Sequence, residues 1–210
     1  MKFSVSSSEL LNKLQIAGGV IPSNPVLPIL EDFLFFIENN KLTIVATDLE
    51  TSIITQIEVM ADMDGSVAIP AKILLETLKA LPQQPITFSV SEENNSIEIT
   101  SSYRKYRLAG ENGQEFPRIP EAESVDTVSI QAAAFGRIIS KTLFATSTDE
   151  LRPAMTGVYV QIDFGKMISV ATDAHKLVKY TLKENESDVT ASFIITKIAK
   201  NLLKSSLPNG

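Results

Sequence analysis

The sequence predicts an α+β protein made of two copies of one domain. Each copy is a pair of strand-helix-strand-strand-strand units, with helices on one face and antiparallel sheet on the other. Three observations carry this reading. Val45-Ala46-Thr47-Asp48 returns as Val170-Ala171-Thr172-Asp173, an offset of 125 residues. Runs of alternating, β-branched residues are punctuated by turn pairs such as Asn39-Asn40 and Asn94-Asn95. Between those runs lie short segments whose apolar residues recur at helical spacing.

Taken in order, Lys2–Ser6 alternates as a short strand. Ser8 is placed to cap a helix over 8–17, whose apolar side is Leu10, Leu11, Leu14 and Ala17, and Gly18-Gly19 is expected to end it. Strands at 33–38 and Lys41–Thr47 form a hairpin through Asn39-Asn40, and 51–59 is a third strand. The order then returns: a strand at 65–69, a helix at 71–81, and strands at 86–90, Ser96–Thr100 and 103–108.

The offset of 125 holds along the chain. Pro28 falls on Pro153, Phe3-Ser4-Val5 on Val128-Ser129-Ile130, Leu10 and Leu14 on Phe135 and Ile139, and Leu78-Lys79 on Leu203-Lys204. Physically similar residues at one offset, in one order, indicate a duplicated domain. The first copy is expected at 1–125, with Phe116-Pro117-Arg118-Ile119-Pro120 and the acidic residues after it as linker, and the second at 126–210. Nothing in the second copy matches 86–125, so a continuation of the domain outside this sequence is expected.

With no cysteine, disulfides and thiolate chemistry are excluded. The start lacks the apolar stretch of a signal peptide, and no run approaches membrane-spanning length, so a soluble cytoplasmic protein is expected. The net charge of −6 argues at first sight against a nucleic-acid partner. Its distribution argues the other way. The four expected helices, 8–17, 71–81, 132–143 and 197–206, carry eight basic residues: Lys13, Lys72, Lys79, Arg137, Lys141, Lys197, Lys200 and Lys204. They carry only Glu9 and Glu76 as acids, and the rest of the chain has 11 basic and 23 acidic residues. Solvated helix faces often hold lysine, but glutamate is an equally good helix former and is nearly missing here. A shared basic face would attract phosphate, and no base-reading device accompanies it.

Catalytic readings are weaker. His175, the single histidine, stands two residues after Asp173, but no nucleophile or metal set completes a site. Asp48 and Asp173 occupy equivalent places before a turn, where aspartate usually accepts backbone N–H bonds. The glycine pair lacks the Gly-Lys-Ser/Thr of a phosphate loop. No cofactor or metal is expected.

Several segments together resemble one family. Met1-Lys2-Phe3, Leu27-Pro28-Ile29-Leu30, Ala46-Thr47-Asp48-Leu49-Glu50, Pro70-Ala71-Lys72, Phe116-Pro117 and Ala171-Thr172-Asp173-Ala174-His175-Lys176-Leu177 are similar to the β subunit of bacterial DNA polymerase III, the β sliding clamp. The resemblance implies a DNA-clamp fold with three such domains per subunit, the third being absent here, and a homodimeric ring with helices lining the channel. It implies duplex DNA as a partner, and polymerase and clamp-loader subunits docking through short peptide motifs. It places Met155, Thr172, Ala174, His175, Lys176 and Leu177 in the peptide groove, and Tyr106 and Leu108 on the strand that meets the other subunit. Ala174 stands where glycine is frequent and Lys176 where arginine is. The loop Ser23-Asn24-Pro25 lacks the basic residue common there. Two other classes compete: a repeat-domain interaction scaffold indifferent to DNA, which leaves the basic helices unexplained, and an enzyme, which lacks a constellation.

Overall fold

The structure is a computed structural model that describes residues 1–119, 130–149, 151–185 and 190–196. The chain divides into two compact units, Met1–Pro120 and Glu121–Gly210. The first unit contains β1 (Lys2–Ser6), α1 (Ser7–Ala17), β2 (Asp32–Glu38), β3 (Lys41–Thr47), β4 (Ser52–Glu58) and β5 (Met60–Met63). It continues with β6 (Gly65–Pro70), α2 (Ala71–Lys79), β7 (Pro85–Val90), β8 (Ser96–Thr100), β9 (Lys105–Ala109) and the two-residue β10 (Glu111–Asn112). The second unit contains α3 (Ala132–Thr142), the single turn α4 (Pro153–Thr156), β11 (Val158–Asp163), β12 (Gly165–Thr172), β13 (Leu177–Asn185) and β14 (Ala191–Ile195).

The two halves of the first unit exchange their leading strands. One sheet runs β5-β1-β7-β8-β9 and the other β10-β6-β2-β3-β4, all antiparallel. β1 therefore leaves the sheet of the strands that follow it and pairs with β7, while β6 pairs with β2. Phe3 lies opposite Phe88 with rings stacked at 4.8 Å, and Phe35 from the other sheet closes on both at 6.3 and 6.1 Å. This aromatic group joins the two sheets and is fully buried. α1 and α2 pack on one another, turning Leu10, Leu14, Leu74 and Leu78 inward.

In the second unit the sheet order β13-β12-β11-β14 reproduces β4-β3-β2-β6. α3 sits 125 residues after α1, residue for residue. Leu49 and Ala174, also 125 apart, share a left-handed backbone at φ 77° and 75°. The described part of the second unit thus repeats the first. The helix expected at 197–206 lies outside the described residues. Among those described, no helix is long and apolar enough to cross a membrane.

Several expectations need correction. Ser8 is inside α1, not its cap: Ser6 holds the N-cap position without a side-chain bond, and the buried Ser7 hydroxyl donates to the Pro82 carbonyl at 2.9 Å. Gly18 does end α1, as its C-cap, but stays right-handed at φ −64° and leads into a 3-10 turn, Gly18–Val20. The helix expected at 71–81 stops at Lys79. The strand expected at 103–108 begins at Lys105, because Ser101 and Arg104 close a turn before it. β5 and β10 were not foreseen. Nor is Phe116 loose linker: it is 5% exposed, packed against Ile29, Val45 and Ala68.

Candidate nucleic-acid interface and peptide pocket

The described helix cations are Lys13, Lys72, Lys79, Arg137 and Lys141. Core positions Ala71, Leu74 and Leu78 fix the orientation of α2, which turns Lys72 and Lys79, seven residues apart, to solvent on one side. On α3, buried Ile138 and Ile139 do the same for Arg137 and Lys141, four residues apart. Lys13 flanks the buried side of α1 and is half-buried. Among the described residues, none of these five takes part in an ion pair. The six pairs present use strand and loop cations: Lys2, Lys105, Arg107, Arg152, Lys166 and Lys176. Positive charge on the helices is thus left without a carboxylate, while much of that on strands and loops is neutralised. Lys197, Lys200 and Lys204 lie outside the described residues.

The repeated Ala-Thr-Asp builds the same turn twice. In the first unit the Thr47 hydroxyl donates to the Thr51 carbonyl and accepts from the Leu49 N–H, while Asp48 Oδ1 accepts from Glu50 and Thr51. In the second, Thr172 donates to the Lys176 carbonyl at 2.8 Å and accepts from Ala174 at 3.1 Å. Asp173 Oδ1 accepts from the His175 and Lys176 N–H groups at 3.0 and 2.9 Å. Its other oxygen meets the Lys176 ammonium. That ammonium, with the turn amides, holds the Asp173 carboxyl far below the ordinary carboxylate range. His175 meets Asp173 through its backbone N–H, which gives the pair a structural role. Ala174 carries the left-handed φ without a glycine, at a cost of about 1 kcal/mol.

This turn forms one wall of a cavity of about 630 Å³ lined by residues 146–149, Arg152 and residues 173–176. Of the expected groove residues, Ala174, His175 and Lys176 line it. Thr172 stands behind the wall, holding the turn. Met155 is half-buried and its carbonyl accepts from the Ser147 N–H at 2.9 Å, so it braces the opposite wall without lining it. Leu177 is 67% exposed at the start of β13. The cavity is polar, rimmed by the Asp149–Arg152 and Asp173–Lys176 pairs. Asp149 and Arg152 were missed. The signal was available: they precede Pro153, which repeats Pro28, in the loop equivalent to Ser23-Asn24-Pro25.

Tyr106 and Leu108 share one face of β9, the edge strand of its sheet, and both are half-buried. On the other face Lys105 and Arg107 both reach Glu98 of β8. Those two cations hold the Glu98 carboxyl below its ordinary range. No group of three His, Asp or Glu side chains that could hold a metal occurs among the described residues.

Two exchanged sheets with paired helices in the first unit, and a second unit whose described sheet and helix repeat one of its halves, define the class of sliding-clamp domains. The chain superposes along its whole length on 57% of the DNA polymerase sliding clamp from Bacillus subtilis, with a TM-score of 0.94 at 24% identity. It matches the clamp from Pseudomonas aeruginosa, solved bound to griselimycin, with a TM-score of 0.89 at 26% identity, covering 99% of this chain and 57% of that one. The chain belongs to the DNA polymerase III beta subunit family: residues 1–120 match its N-terminal domain and 129–207 its central domain. The beta sliding clamp of Vibrio cholerae is 32% identical over 178 residues, 84% of this chain and 48% of that protein. That of Staphylococcus epidermidis is 29% identical over 197 residues, 90% of this chain and 52% of that protein. The chain spans about half the length of these curated relatives.

Proposed function

We propose that this chain is part of a ring-shaped processivity factor that encircles duplex DNA and tethers the replicative polymerase, without catalysing a reaction or holding a cofactor. The two copies act as clamp domains 1–125 and 126–210, in the cytoplasm. Lys13, Lys72, Lys79, Arg137 and Lys141, joined by Lys197, Lys200 and Lys204, face the DNA. The observation that carries this is that, among the described residues of an acidic chain, every helix cation is free of an ion pair, while all six ion pairs use strand and loop cations. Lysine and arginine without fixed partners give sequence-independent phosphate contact, which permits sliding. A scaffold indifferent to DNA has no use for that distribution.

The face of β9 bearing Tyr106 and Leu108 meets the other subunit of a homodimer. The pocket around residues 173–176 receives a short peptide from polymerase or clamp-loader subunits, with Met155 and Leu177 bordering the bound segment and Thr172 holding the turn beneath it. Because Met155 is placed at the border of the bound segment, a charge there should weaken peptide binding by about tenfold or more. The check is competition by a clamp-binding peptide against Met155→Asp in a chain of the family's full length. Unchanged affinity in a folded variant contradicts the groove.

A further inference from the structure

Asp32 opens β2, a strand whose alternate residues Phe33, Phe35 and Ile37 fill the core between the sheets. Its own side chain is on the outer face, with Leu34. That face is not bare. Glu111, Ala68, Leu34 and Val45 stand side by side across β10, β6, β2 and β3. Phe116, Ile29 and Ile119 close over Leu34, Val45 and Ala68 as a second, smaller core. The covering segment from Gly113 to Ile119 is seated tightly: a methyl group added at Gly113 would lie 2.8 Å from the side chain of Ser66 and from the Val67 nitrogen. It is also the last stretch before the end of the first compact unit at Pro120.

A carboxyl group is an unusual thing to seal at the edge of such a patch. Asp32 is only 5% exposed, and its Oδ2 is buried with no hydrogen-bond partner. The charged side chains on the elements around it are Glu31 just before it, Glu111 on β10, Glu115 and Arg118 on the covering segment and Lys72 on the first turn of α2. None of them pairs with it, and both Glu111 and Glu31 repel its charge. At the equivalent place in the second unit stands Gly157, where even a methyl group would come within 2.3 Å of Ile194. The acid is a feature of the first unit alone.

We propose that Asp32 is a proton-operated latch for the segment Gly113 to Ile119: the neutral acid leaves the segment seated on the outer face of the sheet, and the carboxylate loosens it. The sign follows from burial. Desolvation first, then the charges of Glu111 and Glu31, raise the pKa of Asp32 from 3.8 to about 6 while the segment is seated. The seated state therefore binds the proton more tightly than the open one. Its stability is greatest below the ordinary aspartate pKa and falls as pH rises towards 6, then levels off. Between pH 5 and pH 7.5 the opening equilibrium should rise about tenfold.

Hydrogen exchange of the whole 210-residue chain, corrected for intrinsic rates, reads this at the Phe116 amide, which is bonded to the Gly113 carbonyl. The expected result is a rise of about tenfold in opening from pH 5 to 7.5 in the natural chain. Asp32→Asn should abolish that dependence, and Phe116→Ala should raise opening at both pH values. Three results would overturn the latch: a pH-independent opening in the natural chain, the same dependence retained in Asp32→Asn, or an equal response at Phe88 in the other sheet. The last would mean that the whole unit, and not the segment, responds to the proton.

Discussion

Replacing Phe88 by alanine is expected to destabilise the first unit by about 3–5 kcal/mol. The side chain is fully buried, stacks on Phe3 at 4.8 Å and an interplanar angle of 6°, and touches Phe35 from the second sheet. Removing it takes away buried ring surface and leaves a cavity at the one place where the two exchanged sheets are joined by aromatic packing. The ladder that holds Phe3 opposite Phe88 limits how far the backbone can close on that space. A domain of this size has a total stability of roughly 5–15 kcal/mol, so the loss is a large fraction of it. Urea unfolding followed by circular dichroism reads the change. Phe36→Ala, at a residue 42% exposed, is the control and should cost far less. A shift below about 1 kcal/mol for Phe88→Ala would contradict the joined-sheet core.

Reversing the helix charges should act on DNA and leave the fold intact. Lys72, Lys79, Arg137 and Lys141 are exposed and unpaired among the described residues, so changing them to Glu removes no ion pair and no packing. Each such surface change should cost within about 0.5 kcal/mol of stability. On DNA the four changes replace attraction by repulsion at several phosphates. Because each phosphate contact contributes to the salt dependence, loading onto DNA at low salt should fall by about a hundredfold or more, and the salt slope should flatten. The matched control is Lys2→Glu with Lys166→Glu, which changes cations already paired with Asp62 and Asp163 and lies away from β9. If that pair weakens loading as much as the helix changes do, the helices are not the DNA-facing surface.

Much of the architecture was legible because it is local. The Asn39-Asn40 hairpin follows from two residues that accept positive φ, observed at 53° and 62°. Lys41–Thr47 and Ser96–Thr100 fall where they were placed. The Ala-Thr-Asp repeat was visible as sequence, and its role as a backbone turn followed from chemistry. What stayed hidden depends on distant partners. Pairing of β1 with β7 joins residues about 80 apart, and no pattern within Lys2–Ser6 announces that it leaves its own half for the other sheet. Phe116 looked like linker because Pro117 and Pro120 surround it, yet the outer face of β2, β3 and β6 offers it a seat. Asp32 reads as a strand-edge acid, and only the fold shows that it is buried with an oxygen left unpartnered. Of the residues named on resemblance, Ala174, His175 and Lys176 line one cavity. Its polar rim was missed because Asp149 and Arg152 are ordinary loop residues until the fold brings them to face residues 173–176.

The ring is the central claim, and retention on DNA after loading tests it most directly. A protein held by counterion release alone leaves circular and linear DNA alike as salt rises. A closed ring leaves only when an interface opens or an end is reached, so its retention depends on topology. A chain of the family's full length carrying these 210 residues is loaded on nicked circular DNA, half of which is then linearised, and both are washed at low and high salt. The expected result is retention on the circle at high salt and loss from the linear form at either salt. Equal loss from both templates would contradict the ring and leave a salt-sensitive DNA-binding protein in its place.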